Sequence, residues 1–188
     1  MQPEGNVSIA LVHYPVYNRN REIVTSAVTN LDLHDIARAA RTFGLHRYYV
    51  VTPSLEQQEL VRRIGSHWQD GWGGGYNPKR KAALELMTVV ATLDDARDDL
   101  AGMYGVRPLT VVTGAAERVN GITFCNLRKR IAAKDRHWLL VFGTGWGLAE
   151  EIFEEADLVL EPIRGAADYN HLSVRSAASI IMDRLLGW

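Results

Sequence analysis

The sequence predicts an α/β fold in which helices cover both faces of a mostly parallel sheet. Apolar, β-branched runs alternate along the chain with amphipathic stretches, an order typical of strands joined by crossover helices. Several of these runs are apolar along their whole length, as strands buried on both faces are. The predicted strands are Val7–Tyr14, Arg47–Thr52, Met87–Thr92, Leu109–Thr113, Trp138–Gly143 and Leu158–Glu161.

Six helices are predicted between and after these strands, and local signals mark several of their ends. Gly44 suits the position that follows a helix, and Ser54, Thr92 and Ser173 suit N-caps. The segment 70–78 combines glycines with aromatic residues and is predicted to be a long mobile loop. The predicted helices are Asp32–Phe43, Leu55–His67, Leu93–Met103, Cys125–Lys134, Leu148–Glu155 and Ser173–Leu186.

Length and composition favour one globular domain, which we expect to span residues 1–188. Hydrophobic residues make up 47% of the chain and charged residues 23%, an ordinary balance for a packed core. No apolar run reaches the ~18 residues that a membrane span needs, and the polar N-terminus has no features of a signal peptide. The single cysteine, Cys125, favours a reducing, cytoplasmic compartment. No membrane partner and no metal site are expected.

The net charge of −1 argues against a protein that coats nucleic acid along its whole surface. On charge alone, a small-molecule enzyme is favoured, and any RNA contact requires a local basic patch. Two segments, 13–21 and 72–81, interleave aromatic and basic side chains in a way that suits base stacking and phosphate pairing. An ordinary surface loop is the alternative for each segment. The candidate substrate-binding residues there are Asn18, Arg19, Tyr76 and Arg80.

Ligands of open parallel sheets bind outside the carboxyl ends of the strands. One such place is the glycine loop Gly143-x-Gly145-x-Gly147, which lacks the G-x-G-x-x-G spacing of a dinucleotide site. The first strand is followed by Tyr14-Pro15-Val16-Tyr17, which contains no glycine. A nucleotide- or NAD-binding α/β enzyme is therefore the weakest of the alternatives.

Three C-terminal segments resemble, in order, the AdoMet-binding motifs of the SPOUT methyltransferases. They are Phe142-Gly143 with Gly147-Leu148, Glu161-Pro162-Ile163 with Gly165, and His171-Leu172-Ser173-Val174. The resemblance implies a C-terminal trefoil knot whose loops grip S-adenosyl-L-methionine largely through backbone groups. It also implies cofactor contacts for this set of residues: Phe142, Gly143, Gly147, Ile163, Gly165, Leu172 and Ser173. The strand end at 110–115 resembles a further loop of one SPOUT branch, which adds Thr113 and Gly114.

The segment 29–44 resembles the first motif of the ribose-methylating SPOUT enzymes. Arg38 falls where those enzymes place their catalytic arginine, and Asp32 falls where they have an inner asparagine. The resemblance implies that Arg38 is catalytic, with Asp32 and His171 as alternative bases. Asn30 and Arg41 are candidate substrate contacts in the same segment. For Arg38 and Arg41, a solvated helix face is the alternative.

Over most of its length the chain is similar to a small bacterial family of SPOUT-type RNA methyltransferases, through the segments H-Y-P-V-Y-N and T-N-L-D-L-H-D-I-A-R. The resemblance to SPOUT methyltransferases in general implies an RNA substrate, tRNA or rRNA, and a homodimer with the last helix as a candidate interface. The loop Thr144-Gly145-Trp146 and the segment Tyr169-Asn170-His171 depart from the ribose methylases, so either a ribose 2′-OH or a base nitrogen is the expected acceptor. The alternative is an RNA-binding protein with this knotted fold and no catalysis.

Overall fold

The computed structural model describes residues 5–119, 121–167 and 169–187. Its strands are β1 Val7–Val12, β2 Val16–Tyr17, β3 Ile23–Val24, β4 Tyr48–Val51, β5 Met87–Val90, β6 Leu109–Val112, β7 Trp138–Gly143 and β8 Leu158–Val159. Six of them form one sheet in the order β5-β4-β1-β7-β6-β8, and every pairing between them is parallel. The remaining two, β2 and β3, form a small antiparallel hairpin.

Eight helices connect and flank these strands in the described part of the chain. They are α1 Asn30–Thr42, α2 Leu55–Gln69, α3 Trp72–Tyr76, α4 Pro78–Leu84, α5 Leu93–Tyr104, α6 Phe124–Ala132, α7 Glu150–Glu154 and α8 Val174–Leu186. None of the helices in this part of the chain is both long and apolar enough to cross a membrane.

Alternate residues of the central strands pack into two separate cores. Ile9 and Leu11 of β1 join a cluster with apolar residues of α1, α2, α4, α6 and α8, while Ala10 and Val12 join a cluster with residues of α5 and α7. Successive side chains of a strand point to opposite faces, so these two clusters lie on opposite sides of the sheet. The predicted α/β fold with helices on both faces is confirmed.

The prediction of a loop at 70–78 is wrong, because this segment contains α3 and the start of α4. Gly73 and Gly74 are buried, and a Cβ atom on Gly73 would lie 2.9 Å from the Trp68 ring. The Asn77 side chain accepts from the backbone N–H of Arg80 and caps α4, with Pro78 in its first turn. Close packing against α2 here outweighs the low intrinsic helix propensity of glycine.

The ends of the first strand and of the last strand also differ from the prediction. β1 ends at Val12 rather than Tyr14, because the chain turns there into the β2–β3 hairpin, which was not predicted. β8 ends at Val159, and only Leu160 beyond it forms an isolated bridge, with Ile122. In contrast, the predicted N-caps Ser54, Thr92 and Ser173 and the left-handed Gly44 are confirmed.

Candidate functional site at the carboxyl edge of the sheet

The segments that follow β1, β6, β7 and β8 meet at one edge of the sheet. Val12 at the end of β1 pairs with Gly143 at the end of β7. In the same way Val112 pairs with Val141 on one side and with Val159 on the other. Since these strands are parallel, the loops that begin at residues 113, 143 and 160 leave the sheet next to one another.

The glycine loop after β7 has two positions that require glycine on conformational grounds and one that requires it on steric grounds. Gly145 and Gly147 have φ values of 58° and 101°, which most side chains avoid. A Cβ atom on Gly143 would lie 2.7 Å from Cγ of Leu148, a buried residue that packs down onto this glycine. The sharp turn of the loop is therefore set by local packing.

Backbone hydrogen bonds hold the β2–β3 hairpin and the residue before it against this glycine loop. The N–H of Tyr17 donates to the carbonyl of Gly147 at 2.8 Å, and the N–H of Trp146 donates back to the carbonyl of Tyr17 at 2.9 Å. Ala149 donates to the carbonyl of Pro15 at 3.1 Å. Main-chain hydrogen bonds therefore join the segment after β1 to the loop after β7.

The side chains of two predicted cofactor residues are engaged in packing and hydrogen bonding within the fold. The Phe142 ring is 2% exposed and lies in the core on the α1 face of the sheet. The Thr113 hydroxyl donates to the carbonyl of Val141 at 3.0 Å. These side chains are therefore not free to contact a ligand, and the N–H of Thr113 is also engaged, because it donates to the carbonyl of Val141 at 3.0 Å.

The last loop is fastened to the loop after β6. The side-chain amide of Asn170 donates to the carbonyl of Ala115 at 2.7 Å. Ser173 caps α8 by accepting from the N–H of Ser176, and the adjacent Leu172 is partly exposed. The start of α8 is thereby held beside Gly114. Asn170 was not predicted as a site residue, because nothing in its sequence neighbourhood indicates a partner 55 positions away.

These loops have the properties that a nucleoside-binding pocket needs. The N–H groups of Gly114, Gly145 and Gly165 donate to no other atom in the described segments. A Cβ atom on Gly147 or Gly165 would meet nothing within 4 Å, so a ligand can approach the backbone closely there. Free donors, open backbone and nearby apolar side chains such as Ile163 and Leu172 fit the adenosine part of a methyl donor.

A chain of side-chain hydrogen bonds runs beneath the glycine loop. Nδ1 of the buried His13 lies 3.0 Å from Oγ of Ser26, and the Ser26 hydroxyl also contacts the hydroxyl of Thr144. Thr144 in turn donates to the carbonyl of Val12 at 3.0 Å. Burial lowers the pKa of His13 to about 4, against the opposing charge of Asp32, so the ring is neutral at neutral pH.

Asp32, a predicted alternative base, has both carboxylate oxygens engaged. Oδ2 accepts from the Thr29 hydroxyl at 2.6 Å, and Oδ1 accepts from Nη1 of Arg175 at 2.9 Å. Arg175 also lies 3.6 Å from the carboxylate of Asp35. Asp32 is 6% exposed and ties the first turn of α1 to the first turn of α8. This geometry assigns it to positioning the two helices.

The other two predicted catalytic residues are exposed. Arg38 lies on α1, one turn beyond His34, and makes no ion pair within the described ranges. His171 lies in the last loop, with its ring edge-on to that of Tyr169 at a centroid separation of 5.6 Å. Both side chains are therefore accessible to solvent, and the structure does not place them in one cavity.

An open groove of about 950 Å³ lies between α1, α2 and α4. Three predicted site residues, Asn30, Arg38 and Arg80, contribute to its walls, and none of the predicted cofactor residues does. The remaining lining residues were not predicted: Leu31, His34, Asp35, Leu60, Arg63, Ile64, His67 and Trp68. Half of them are apolar and half are polar or charged, so neither the hydrophobic pattern nor any other local signal reveals that they converge on one groove.

The remaining predicted substrate contacts lie outside this groove. Asn18 closes the hairpin turn, because its side-chain oxygen accepts from the N–H groups of Asn20 and Glu22 at 2.8 and 3.0 Å. Arg19 and Arg41 are exposed. Tyr76 is 73% exposed and stacks on Trp72, with ring centroids 5.0 Å apart. The two aromatic and basic segments are thus not joined in a single groove.

Solved structures of SpoU-type proteins share this fold. A TrmH/SpoU tRNA modifying enzyme from Aquifex aeolicus superposes with a TM-score of 0.56 at 15% identity, over 98% of this chain and 76% of that one. The SpoU methyltransferase AviRb from Streptomyces viridochromogenes, in complex with the cofactor AdoMet, gives a TM-score of 0.57 at 16% identity, over 99% and 61% of the two chains.

The chain belongs to a family of SAM-dependent RNA methyltransferases, which it matches over residues 6–187. It is 42% identical to an uncharacterized protein of Aquifex aeolicus (strain VF5), over 96% of this chain and 88% of that protein. It is 44% identical to a tRNA (guanine-N(1)-)-methyltransferase of Oleidesulfovibrio alaskensis over 99% of this chain. The match spans 43% of that longer relative.

Proposed function

We propose that this protein transfers the methyl group of S-adenosylmethionine to a nucleoside of tRNA. The observation that carries the proposal is the convergence of three glycine-bearing loops, with free backbone donors, at the carboxyl edge of the sheet. Membership of an RNA methyltransferase family supports the reaction class. The choice of tRNA over rRNA is supported by the name of the Oleidesulfovibrio relative, in which a counterpart of this chain is less than half of the protein.

The carboxyl-edge loops are proposed to hold the methyl donor. The backbone of Thr113, Gly114, Phe142 and Gly143 forms one side of the pocket, and Gly147 lets the ligand approach the main chain. A second side is formed by this group: Ile163, Gly165, Leu172 and Ser173. The donor supplies a positively charged sulfur as leaving group, so the protein must chiefly align the acceptor atom with the methyl carbon.

Arg38 is proposed as the catalytic residue. A guanidinium stays protonated at physiological pH, so it stabilises negative charge on the acceptor or orients a neighbouring phosphate rather than removing a proton. His171 is proposed as the base, because it is exposed in the last loop and an imidazole nitrogen can accept a proton. Asp32, with its oxygens occupied by Thr29 and Arg175, is proposed to position α1.

The substrate contacts are proposed at polar, basic and aromatic positions that are accessible to solvent. Asn30 and Arg80 line the α1–α2–α4 groove, and Tyr76 offers an open aromatic ring. Arg19 and Arg41 offer exposed guanidinium groups for phosphates, while Asn18 maintains the hairpin that carries Arg19. The acceptor is proposed to be a ribose 2′-OH or a base nitrogen.

Three further proposals concern the state of the protein. The C-terminal segment around α8 is proposed to form a trefoil knot, and the protein is proposed to act as a homodimer. Ile181 and Leu185 of α8 are buried in the core, so the more open Ile180 and Leu186 are proposed as the apolar residues of the interface. Cys125 is exposed and free, which suits a reducing, cytoplasmic compartment.

Methyl transfer from labelled S-adenosylmethionine to tRNA, followed by mass spectrometry of the nucleosides, tests the proposal. We expect one methylated nucleoside, whose identity distinguishes a 2′-OH from a base nitrogen. Arg38→Ala is expected to lower kcat by at least 100-fold while calorimetric affinity for S-adenosylhomocysteine is unchanged, since removing one charge-stabilising donor costs about that much. Arg107→Ala, a surface change near α5 on the opposite face, is the matched control.

Three results would each contradict part of this proposal. If the protein binds tRNA but neither binds S-adenosylhomocysteine nor transfers a methyl group, it is an RNA-binding member of the family without catalysis. If Arg38→Ala retains full activity on the methylated tRNA, the catalytic role belongs to another residue. Methylation of rRNA with no product on tRNA would exclude the proposed substrate class.

A further inference from the structure

We infer that the groove between α1, α2 and α4, together with the Trp72–Tyr76 pair beside it, is a binding site for unpaired RNA. This inference rests on the proposed function, because it adds a second contact for the same RNA substrate. The groove lies apart from the carboxyl-edge loops, since none of the proposed cofactor residues lines it. It begins at Arg38, the proposed catalytic residue, and extends the substrate contacts from there to Arg63 and Arg80.

Positive charge converges on the groove from three helices. Arg38 of α1, Arg63 of α2 and Arg80 of α4 line it, and Asp35 is the one acidic side chain in its lining. Burial lowers the pKa of His34, and the nearby charges of Arg80 and Arg38 lower it further, against Asp35. The guanidinium groups of α1 and α4 thus face the same space, as a run of phosphates requires.

Aromatic rings form the wall of the groove. Trp68 lies edge-on to His34 at 5.5 Å and to His67 at 5.2 Å. The guanidinium of Arg80 stacks over the Trp68 ring at 4.6 Å, which holds this cation against an apolar surface. A basic groove with interleaved aromatic rings is the arrangement that binds single-stranded nucleic acid with little sequence preference.

The stacking surface continues onto α3. Trp72 and Tyr76 stack with an interplanar angle of 19°, and both rings are more than 70% exposed. A hollow of about 350 Å³ beside them is bordered by Gly71 and Gly75. Gly73 brings α3 against the groove wall, because a Cβ atom there would lie 2.9 Å from the Trp68 ring and 3.0 Å from Nε2 of His67. Apart from each other, Trp72 and Tyr76 have no stacking partner among the described residues, so their outer faces are open to a base.

Charge argues for RNA over a second copy of this chain as the occupant. Two copies that met through this groove would bring six arginine side chains and two aspartates together, from three and one in each lining, and like charges at an interface are costly.

The experiment is fluorescence anisotropy of a labelled, unstructured RNA 12-mer with the full chain, at several salt concentrations and without cofactor. Arg63→Ala is expected to weaken binding at least fivefold and to reduce the slope of log K against log salt by about 0.7, the value for one phosphate contact to a single strand. Tyr76→Ala is expected to weaken binding fivefold or more through lost stacking, and Tyr76→Phe is expected to restore it. Arg107→Ala is the matched control and is expected to bind as the wild type does.

Unchanged affinity and salt slope in both Arg63→Ala and Tyr76→Ala would overturn the inference. So would light scattering that shows a dimer dissociated by Arg63→Glu while RNA affinity stays the same, because the groove would then be an interface between copies. Circular dichroism of each variant verifies that it is folded. Loss of methyl transfer with these RNA effects intact would contradict the proposed function and leave the RNA site standing.

Discussion

The guanidinium of Arg175, at the start of α8, lies 2.9 Å from the carboxylate of Asp32, at the start of α1. These residues are 143 positions apart in the sequence. The ion pair joins the helix that carries Arg38 to the helix that follows the last cofactor loop. A change on one side of this contact is therefore expected to affect both the substrate side and the cofactor side of the site.

Arg175→Ala is expected to destabilise the protein by about 2–3 kcal/mol, because it leaves a buried carboxylate without its partner. The value is below that of a fully buried pair, since the Arg175 side chain is 32% exposed. Urea denaturation measures the effect. Arg164→Ala, which removes an exposed ion pair with Glu117, is the control and should cost less than about 1 kcal/mol. Equal losses in the free energy of unfolding for the two substitutions would show that the contact with Asp32 stabilises the protein no more than an exposed ion pair does.

Gly143→Ala is expected to distort the loop after β7, because the added methyl group would lie 2.7 Å from Cγ of Leu148. We expect a loss of about 1–3 kcal/mol in the free energy of unfolding, as for overpacked cores, and weaker binding of S-adenosylhomocysteine. The second substitution Leu148→Ala should recover part of the binding by making room. Gly102→Ala, on an open face of α5, is the control and should stabilise the helix by about 0.5–1 kcal/mol. A Gly143→Ala protein with full ligand affinity would contradict the close packing.

Ser26→Ala is expected to weaken cofactor binding indirectly, because Ser26 supports the glycine loop and is not proposed to contact the cofactor. The substitution removes the hydroxyl that joins Nδ1 of His13 to the hydroxyl of Thr144, so the glycine loop loses a support from below. A destabilisation of about 1–2 kcal/mol is expected from the unsatisfied buried ring nitrogen. Thr42→Ala, which removes an exposed hydroxyl on α1, is the control. Calorimetry with S-adenosylhomocysteine measures the binding, and an unchanged dissociation constant for Ser26→Ala would rule out this support.

The free energy of unfolding is expected to decrease as the pH drops from 6.5 to about 4. Burial lowers the pKa of both His13 and His137 to about 4, from 6.5 in an unfolded chain. Within that window the unfolded chain binds protons that the folded protein does not, so each ring contributes a loss of about 2–3 kcal/mol by pH 4. At pH values below about 4, the two histidines are protonated in both states, so they cause no further decrease in the free energy of unfolding. Above pH 6.5 both states carry the neutral ring and the effect vanishes.

Two measurements check this pH dependence. Proton NMR of the imidazole resonances should show two histidines that titrate near pH 4 in the folded protein. Urea denaturation should give a lower free energy of unfolding at pH 5 than at pH 7.5, with a smaller difference in His137→Gln, which keeps a polar group near the Ser8 hydroxyl that now contacts His137. Six histidines that all titrate near 6.5 would contradict the buried, neutral state of these rings.

Most of the fold could be predicted from the sequence, because hydrophobic periodicity and capping residues act locally. The six strands of the main sheet were placed by their apolar runs, and Ser54, Thr92 and Ser173 mark helix starts through hydrogen bonds that span three residues. The segment 70–78 was assigned wrongly, because its glycines are buried against Trp68, a contact that only tertiary packing creates.

The candidate site was predictable only in part. The glycine loops after the strands are visible in the sequence, since positive φ values and close backbone approach both require glycine. The roles of Arg175, Ser26 and the groove residue Arg63 were not visible, because each depends on a partner far away in the chain.

By itself, then, the sequence determined the alternation of strands and helices, the positions of the cofactor loops and the resemblance that led to the methyltransferase family. The tertiary structure decided which polar side chains meet. It placed Asp32 against Arg175, inserted α3 against Trp68 and brought Arg38, Arg63 and Arg80 to one groove. The physical reason is that local structure follows from steric preference and periodicity over a few residues, whereas contacts between distant charges follow only from how the helices pack on the sheet.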